Sequence, residues 1–175
     1  MKIAIADTCF LINWLKYKRK NDILKLFKLI MIPLPVLDEL GSEGKALLGQ
    51  WIIKGYISFI PRLEFYDSEA YRIIELAKIR SLPRIDYPEA YCLVVASKRN
   101  YVVLTENKAT RYIVSEINEY KHVRVLDSLD VLLSLYGNDK SLLTKRMKEY
   151  MQDTGIIFSR KRLKRLGISL EQLSN

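Results

Sequence analysis

Histidine and cysteine are nearly absent: the 175 residues include one histidine, His122, and two cysteines, Cys9 and Cys92. A single imidazole excludes an HExxH metal site and leaves little room for a Ser-His-Asp triad. Two thiols make no disulfide framework, and with one histidine they do not close a zinc site. No apolar run approaches the roughly 18 residues that a membrane helix needs. The opening stretch MKIAIADTCF meets Asp7 too soon to read as a secretory signal. The expected compartment is therefore the cytoplasm, with no membrane partner. Glycine (7) and proline (5) are sparse. Neither a GxGxxG nor a GxxxxGK[ST] motif occurs, which argues against dinucleotide and P-loop binding. No internal repeat or low-complexity tract is present.

What the chain does have is a core and a charge. Hydrophobic residues make up 49% and charged residues 28%, a globular balance rather than a disordered one. Twenty-nine Lys and Arg against 20 Asp and Glu give a formal charge of +9. Such a surface favours a polyanionic partner, because each neutralised phosphate releases counterions.

Periodicity alternates between two and 3.6 along the chain. Lys2 to Ala6 reads as a strand buried on both faces. Helical spacing follows from Thr8 to Lys18, and again from Asp22 to Leu29. Strands are expected at Ile30 to Leu34, Tyr56 to Ile60, Tyr101 to Thr105 and Val123 to Leu126. Helices are expected at Val36 to Leu40, Lys45 to Ile53, Asp67 to Arg80, Asp86 to Lys98, Ala109 to Asn118 and Asp127 to Tyr136. Strands alternating with helices predict an α/β domain with a mostly parallel sheet. Gly137-Asn138-Asp139 marks a break. The predicted division is a domain over residues 1–137 and a basic helical extension over 138–175.

In open parallel sheets, ligands bind beyond the carboxyl ends of the strands. Asp7 ends the first strand, and Glu106 with Asn107 follows Thr105 at the end of another. Glu39 and Asp86 occupy or begin helices expected near that rim, and Glu89 lies one turn from Asp86. Each has a plain structural reading. Asp7 and Asp86 suit helix caps. Glu39, like Asp38, suits a solvated helix face, and Glu89 a first-turn dipole position. Glu106 and Asn107 suit a turn, and Asp127 and Asp130 a capped helix start. As a set they point elsewhere: carboxylates converging on one rim repel each other unless a cation neutralises them. Oxygen ligands favour Mg²⁺ or Mn²⁺, which suits in-line displacement at a phosphate.

Ala6-Asp7-Thr8, Pro35-Val36-Leu37-Asp38-Glu39-Leu40, Asp86-Tyr87-Pro88-Glu89-Ala90 with Ala96, and Val103-Leu104-Thr105-Glu106-Asn107 follow in order. With these motifs the chain resembles the PIN-domain family over about residues 1–136. These small α/β ribonucleases include the toxins of VapBC toxin–antitoxin pairs. The resemblance implies a three-layer α/β/α sandwich, a Mg²⁺- or Mn²⁺-dependent endoribonuclease, an RNA substrate, an antitoxin protein as a possible partner, and a homodimer. It matches Asp7, Glu39 and Asp86 to the family's first three acids, which would hold the ion. Thr8 matches the hydroxyl beside the first of them. Thr105, Glu106 and Glu89 are supporting candidates. The family's fourth acid, in a Thr-x-Asp turn, falls on Asn107, which has a carbonyl oxygen but no charge. That departure keeps a second expectation open: a weakened module that binds RNA or a protein.

Two basic clusters are candidate RNA contacts. One is the loop with Lys16, Lys18, Arg19 and Lys20. The other is Arg160, Lys161 and Arg162, in a stretch with five basic residues in eight. Leu163 and Leu166, with Met147, Tyr150, Met151 and Phe158, predict that the tail docks on its own domain or on a dimer mate.

Overall fold

The computed structural model describes residues 2–174. Five strands form one sheet: β1 (Lys2–Ala6), β2 (Phe27–Pro33), β3 (Ile57–Ile60), β4 (Val102–Leu104) and β5 (Val125–Leu126). The order is β3-β2-β1-β4-β5, and every neighbouring pair is parallel. All strands therefore end on the same edge. Because β1 is central, the residue after Ala6 lies in the middle of that edge.

Helices fill the crossovers: α1 (Thr8–Lys16), α2 (Leu34–Glu39), α3 (Ser42–Ile53), α4 (Glu64–Ile79), α5 (Tyr87–Arg99), α6 (Lys108–Glu116) and α7 (Ser128–Tyr136). The result is a mixed α/β fold with an all-parallel sheet flanked by helices, consistent with a PIN-like α/β/α sandwich. Ala4, Ile5 and Ala6 are fully buried, as a central strand covered on both faces requires. Within α5, every residue from Ala90 to Ala96 is buried. This helix packs against α4 and lies over the central strands. None of the described helices is long and apolar enough to cross a membrane.

The structure corrects the sequence reading between Asp22 and Leu29. Lys20–Lys25 is a 3-10 helix, and Phe27 already begins β2. Ile23, Leu24, Leu26, Phe27, Leu29 and Ile30 suit both periods, so the apolar spacing does not separate helix from strand here. Smaller shifts occur elsewhere: α1 stops at Lys16, Leu34 opens α2, and α4 starts at Glu64.

Beyond α7 lie α8 (Lys140–Thr154), α9 (Arg160–Arg165) and α10 (Glu171–Ser174). Met147, Tyr150, Phe158 and Leu163 are buried. Tyr150 stacks on Phe158 at 5.9 Å, and it meets Trp14 at 5.4 Å and Tyr17 at 5.2 Å. Such pairs contribute about 0.5–1.5 kcal/mol each beyond area burial. The segment thus packs on α1 and α7 of its own chain.

Candidate functional site: a carboxylate rim on the central strands

Asp7 is the N-cap of α1, and its Oδ1 accepts from the Phe10 N–H at 2.8 Å. Its backbone N–H donates to the Leu104 carbonyl at 3.0 Å, which joins the ends of β1 and β4. The side chain is 1% exposed, and Oδ2 has no hydrogen-bond partner. Burial is the main cause that pushes this carboxyl up from 3.8 to about 7. The Thr105 hydroxyl and the Phe10 N–H pull it partly back, and the charges of Glu89 and Glu106 push it further. A half-satisfied buried carboxylate is costly, since desolvation penalises its charged form. Capping uses Oδ1; Oδ2 makes no hydrogen bond of ordinary length, and the Thr105 hydroxyl beside the carboxyl only partly offsets its burial.

Three more carboxylates lie near: the charges of Glu89 and Glu106 bear on Asp7, and that of the exposed Glu39 bears on Glu89 and Cys9. Glu39 ends α2 and accepts from the Thr8 hydroxyl at 2.5 Å, which links α1 to α2. Glu89, in the first turn of α5, accepts from Asn107 Nδ2 at 2.6 Å and from the Asp86 N–H at 3.2 Å. Burial raises its pKa, and the charges of Asp86 and Glu39 add to the rise. Glu106 follows β4 and accepts from the Ser128 N–H at 3.2 Å and from the Ser128 hydroxyl. Burial raises its pKa too. Cys9 is exposed at the surface of α1, yet partial desolvation pushes its thiol up to about 11, aided by Asp7, Glu89, Glu39 and Glu106.

The other expected residues lie as follows. Asp86 is the N-cap of α5, but it is exposed, and its Oδ1 accepts from Arg84 Nε at 3.0 Å. It acts on Glu89 rather than on Asp7. One helical turn separates the two acids, and the rotation of α5 turns Glu89 toward the rim. Asn107 is the N-cap of α6: Oδ1 accepts from the Ala109 N–H at 2.8 Å while Nδ2 holds Glu89. Both ends of the amide are therefore engaged within the protein. The Thr105 hydroxyl is buried and accepts from the Asn107 N–H at 2.9 Å, which shapes the turn.

The basic candidates divide. Lys18 lies 3.6 Å from Asp153 and Arg19 3.0 Å from Glu149, both acids on α8. Lys20 Nζ donates to the Leu15 carbonyl. The loop therefore clamps the C-terminal segment, and of its four candidates Lys16, Lys18 and Arg19 stay exposed while Lys20 is half-buried. Arg162 pairs with Asp127 and Asp130, which also hold Arg111. Arg160 and Lys161 are exposed. Two links were not legible in the residue pattern: Arg162 to the α7 cap, and Tyr150 to Ser128 at 2.5 Å.

The donors at the rim are all oxygens, and Asp7 Oδ2 is an unmatched buried acceptor. That chemistry fits a hard divalent cation. Among the described residues, no three His, Cys, Asp or Glu side chains are already gathered in ligand positions.

Comparison with protein-family models and with curated proteins finds no match. Among solved structures, the chain is similar to the crystal structure of VapBC2 from Rickettsia felis bound to a DNA fragment from their promoter. The TM-score is 0.51 and the identity 14%, over 71% of this chain and 98% of that one. What the chain shares with that toxin–antitoxin complex is a fold, a PIN-like parallel sheet between helices.

Proposed function

We propose that the protein is a metal-dependent endoribonuclease of the PIN type, with Asp7 at its centre. The supporting observation is the buried Asp7 Oδ2, without a hydrogen bond at the end of the central strand, with the charges of Glu89 and Glu106 bearing on Asp7 and that of Glu39 on Glu89. Asp7, Glu89 and Glu39 would hold Mg²⁺ or Mn²⁺, directly or through water. The cation, when bound, would neutralise the carboxylates and polarise a phosphodiester for attack by water. Attack at phosphorus breaks one P–O bond and leaves a phosphate monoester and a hydroxyl. Thr8 orients Glu39, Asn107 orients Glu89, and the surface charge of +9 draws in the RNA backbone. The fold shared with a VapBC complex supports a toxin role with an antitoxin partner.

A second reading is a PIN-like module that binds RNA or a protein without cutting. The committed amide of Asn107, at a position where the family carries an acid, favours it. Incubation of a mixed-sequence single-stranded RNA with the protein, with Mn²⁺ or with EDTA, separates the two. The nuclease reading expects cleavage with Mn²⁺ that EDTA and Asp7→Asn both abolish. RNA binding without cleavage by folded wild-type protein would establish the module instead.

A further inference from the structure

The C-terminal segment reaches the carboxylate rim through a chain of hydroxyls. The Tyr150 hydroxyl on α8 lies 2.5 Å from Ser128 Oγ. Ser128 in turn offers both its hydroxyl and its backbone N–H to the same oxygen, Oε1 of Glu106. Each group then has one direction of donation: tyrosine to serine, serine to glutamate. Ser128 and Tyr150 are fully buried, and the Tyr150 ring is fixed by Trp14, Tyr17 and Phe158. A buried, fully connected hydroxyl chain holds its terminal acceptor in one orientation. Glu106 Oε2 carries no hydrogen bond among the described residues, and the Glu106 charge bears on Asp7.

We infer that Glu106 is the fourth carboxylate of the site, supplying the charge that Asn107 lacks, and that Tyr150 is its positioning residue, acting through Ser128. The inference rests on the metal-site reading above and adds two points to it. The missing negative charge is replaced one residue upstream. The residue that aims the replacement lies outside the 1–136 stretch that resembles the PIN family. Asn107 is thereby left to brace Glu89 and cap α6.

Calorimetric Mn²⁺ titration of the full chain tests this, with Asp7→Asn, Glu106→Gln, Ser128→Ala, Tyr150→Phe and the Tyr150→Phe/Glu106→Gln double variant. Tyr150→Phe keeps the ring contacts, and Glu106→Gln keeps an accepting oxygen, so both variants retain the packed core. Glu106→Gln should weaken Mn²⁺ binding at least about tenfold and Ser128→Ala about tenfold, the scale of a lost outer-shell partner. Tyr150→Phe should cost about threefold alone and nothing once Glu106 is Gln, because positioning residues act only through their target. Equal Tyr150→Phe losses in both backgrounds would reduce Tyr150 to a packing residue and overturn the inference. So would wild-type affinity in Glu106→Gln while Asp7→Asn has lost binding; that result leaves the Asp7 site standing. Absence of Mn²⁺ binding by the wild-type protein would overturn the site reading itself, and this inference with it.

Discussion

Asn107 Nδ2 donates to Glu89 Oε2 at 2.6 Å, and this one bond ties the end of β4 to the first turn of α5. The amide does what a carboxylate in its place cannot: it neutralises none of the rim's charge but braces one acid without repelling it. Replacing it makes a defined trade. Asn107→Asp keeps the Oδ1 that caps α6, loses the donor to Glu89 and adds a like charge. The variant should be less stable than wild type at pH 8 by about 1–3 kcal/mol, the cost of a lost charged hydrogen bond. The gap should narrow as the pH falls and one acid of the pair takes up a proton. Urea denaturation at pH 8 and in acid checks this, and equal stability at pH 8 would show that the bond contributes nothing.

Asp7 gives the protein a pH signature. Its carboxyl titrates near 7 in the fold against 3.8 unfolded, so folding takes up a proton between these values. Its contribution to stability is fully present below pH 3.8 and lost as the pH rises through 7. A rise from 3.8 to about 7 corresponds to roughly 4 kcal/mol against the ionised form. Asp7→Asn removes the titration. Its stability relative to wild type should therefore climb from pH 4 to pH 8, by up to that amount. Paired urea titrations across this range give the slope, and a flat difference would mean that Asp7 ionises as an exposed carboxyl does.

Cys9 reports the same field chemically. Its thiol is pushed up to about 11, first by burial and then by Asp7, Glu89, Glu39 and Glu106. At pH 8.5 it should react with a thiol reagent well below the rate of free cysteine, since the thiolate is the nucleophile. Glu89→Gln should speed the reaction. Cys92 is fully buried and should stay silent until the protein unfolds. A Cys9 whose rate is unchanged in Glu89→Gln would show that the carboxylates do not act on it.

Arg162 pins α9 to the first turn of α7 through Asp127 and Asp130. Because the arginine is 31% exposed, its ion pairs are partly screened, and Arg162→Gln should cost about 1 kcal/mol. Molar salt should shrink the difference. No loss in thermal unfolding would leave Leu163 and Phe158 as the anchors of the tail.

Much of this arrangement was readable from the residues, and the exceptions share a cause. The strand Lys2–Ala6, buried from Ala4 onward, with Asp7 at its end is legible because apolar runs and caps are local signals. The start of β2 at Phe27 is not, since the apolar residues from Ile23 to Ile30 fit helical and strand spacing alike. Asp86 and Glu89 differ only by one turn of α5, and the rotation that faces Glu89 to the rim is set by packing against α4 and β1, not by spacing. The same limit hid the basic loop's clamp on α8 and the Tyr150–Ser128 contact. Both are tertiary pairings between segments more than twenty residues apart.

The most direct measurement is RNA cleavage with Mn²⁺ by wild type, Asp7→Asn, Glu89→Gln and Asp86→Asn, side by side. The account predicts that wild type and Asp86→Asn cut, and that Asp7→Asn and Glu89→Gln do not. Cleavage that survives Asp7→Asn, or that is lost in Asp86→Asn but kept in Glu89→Gln, would contradict it.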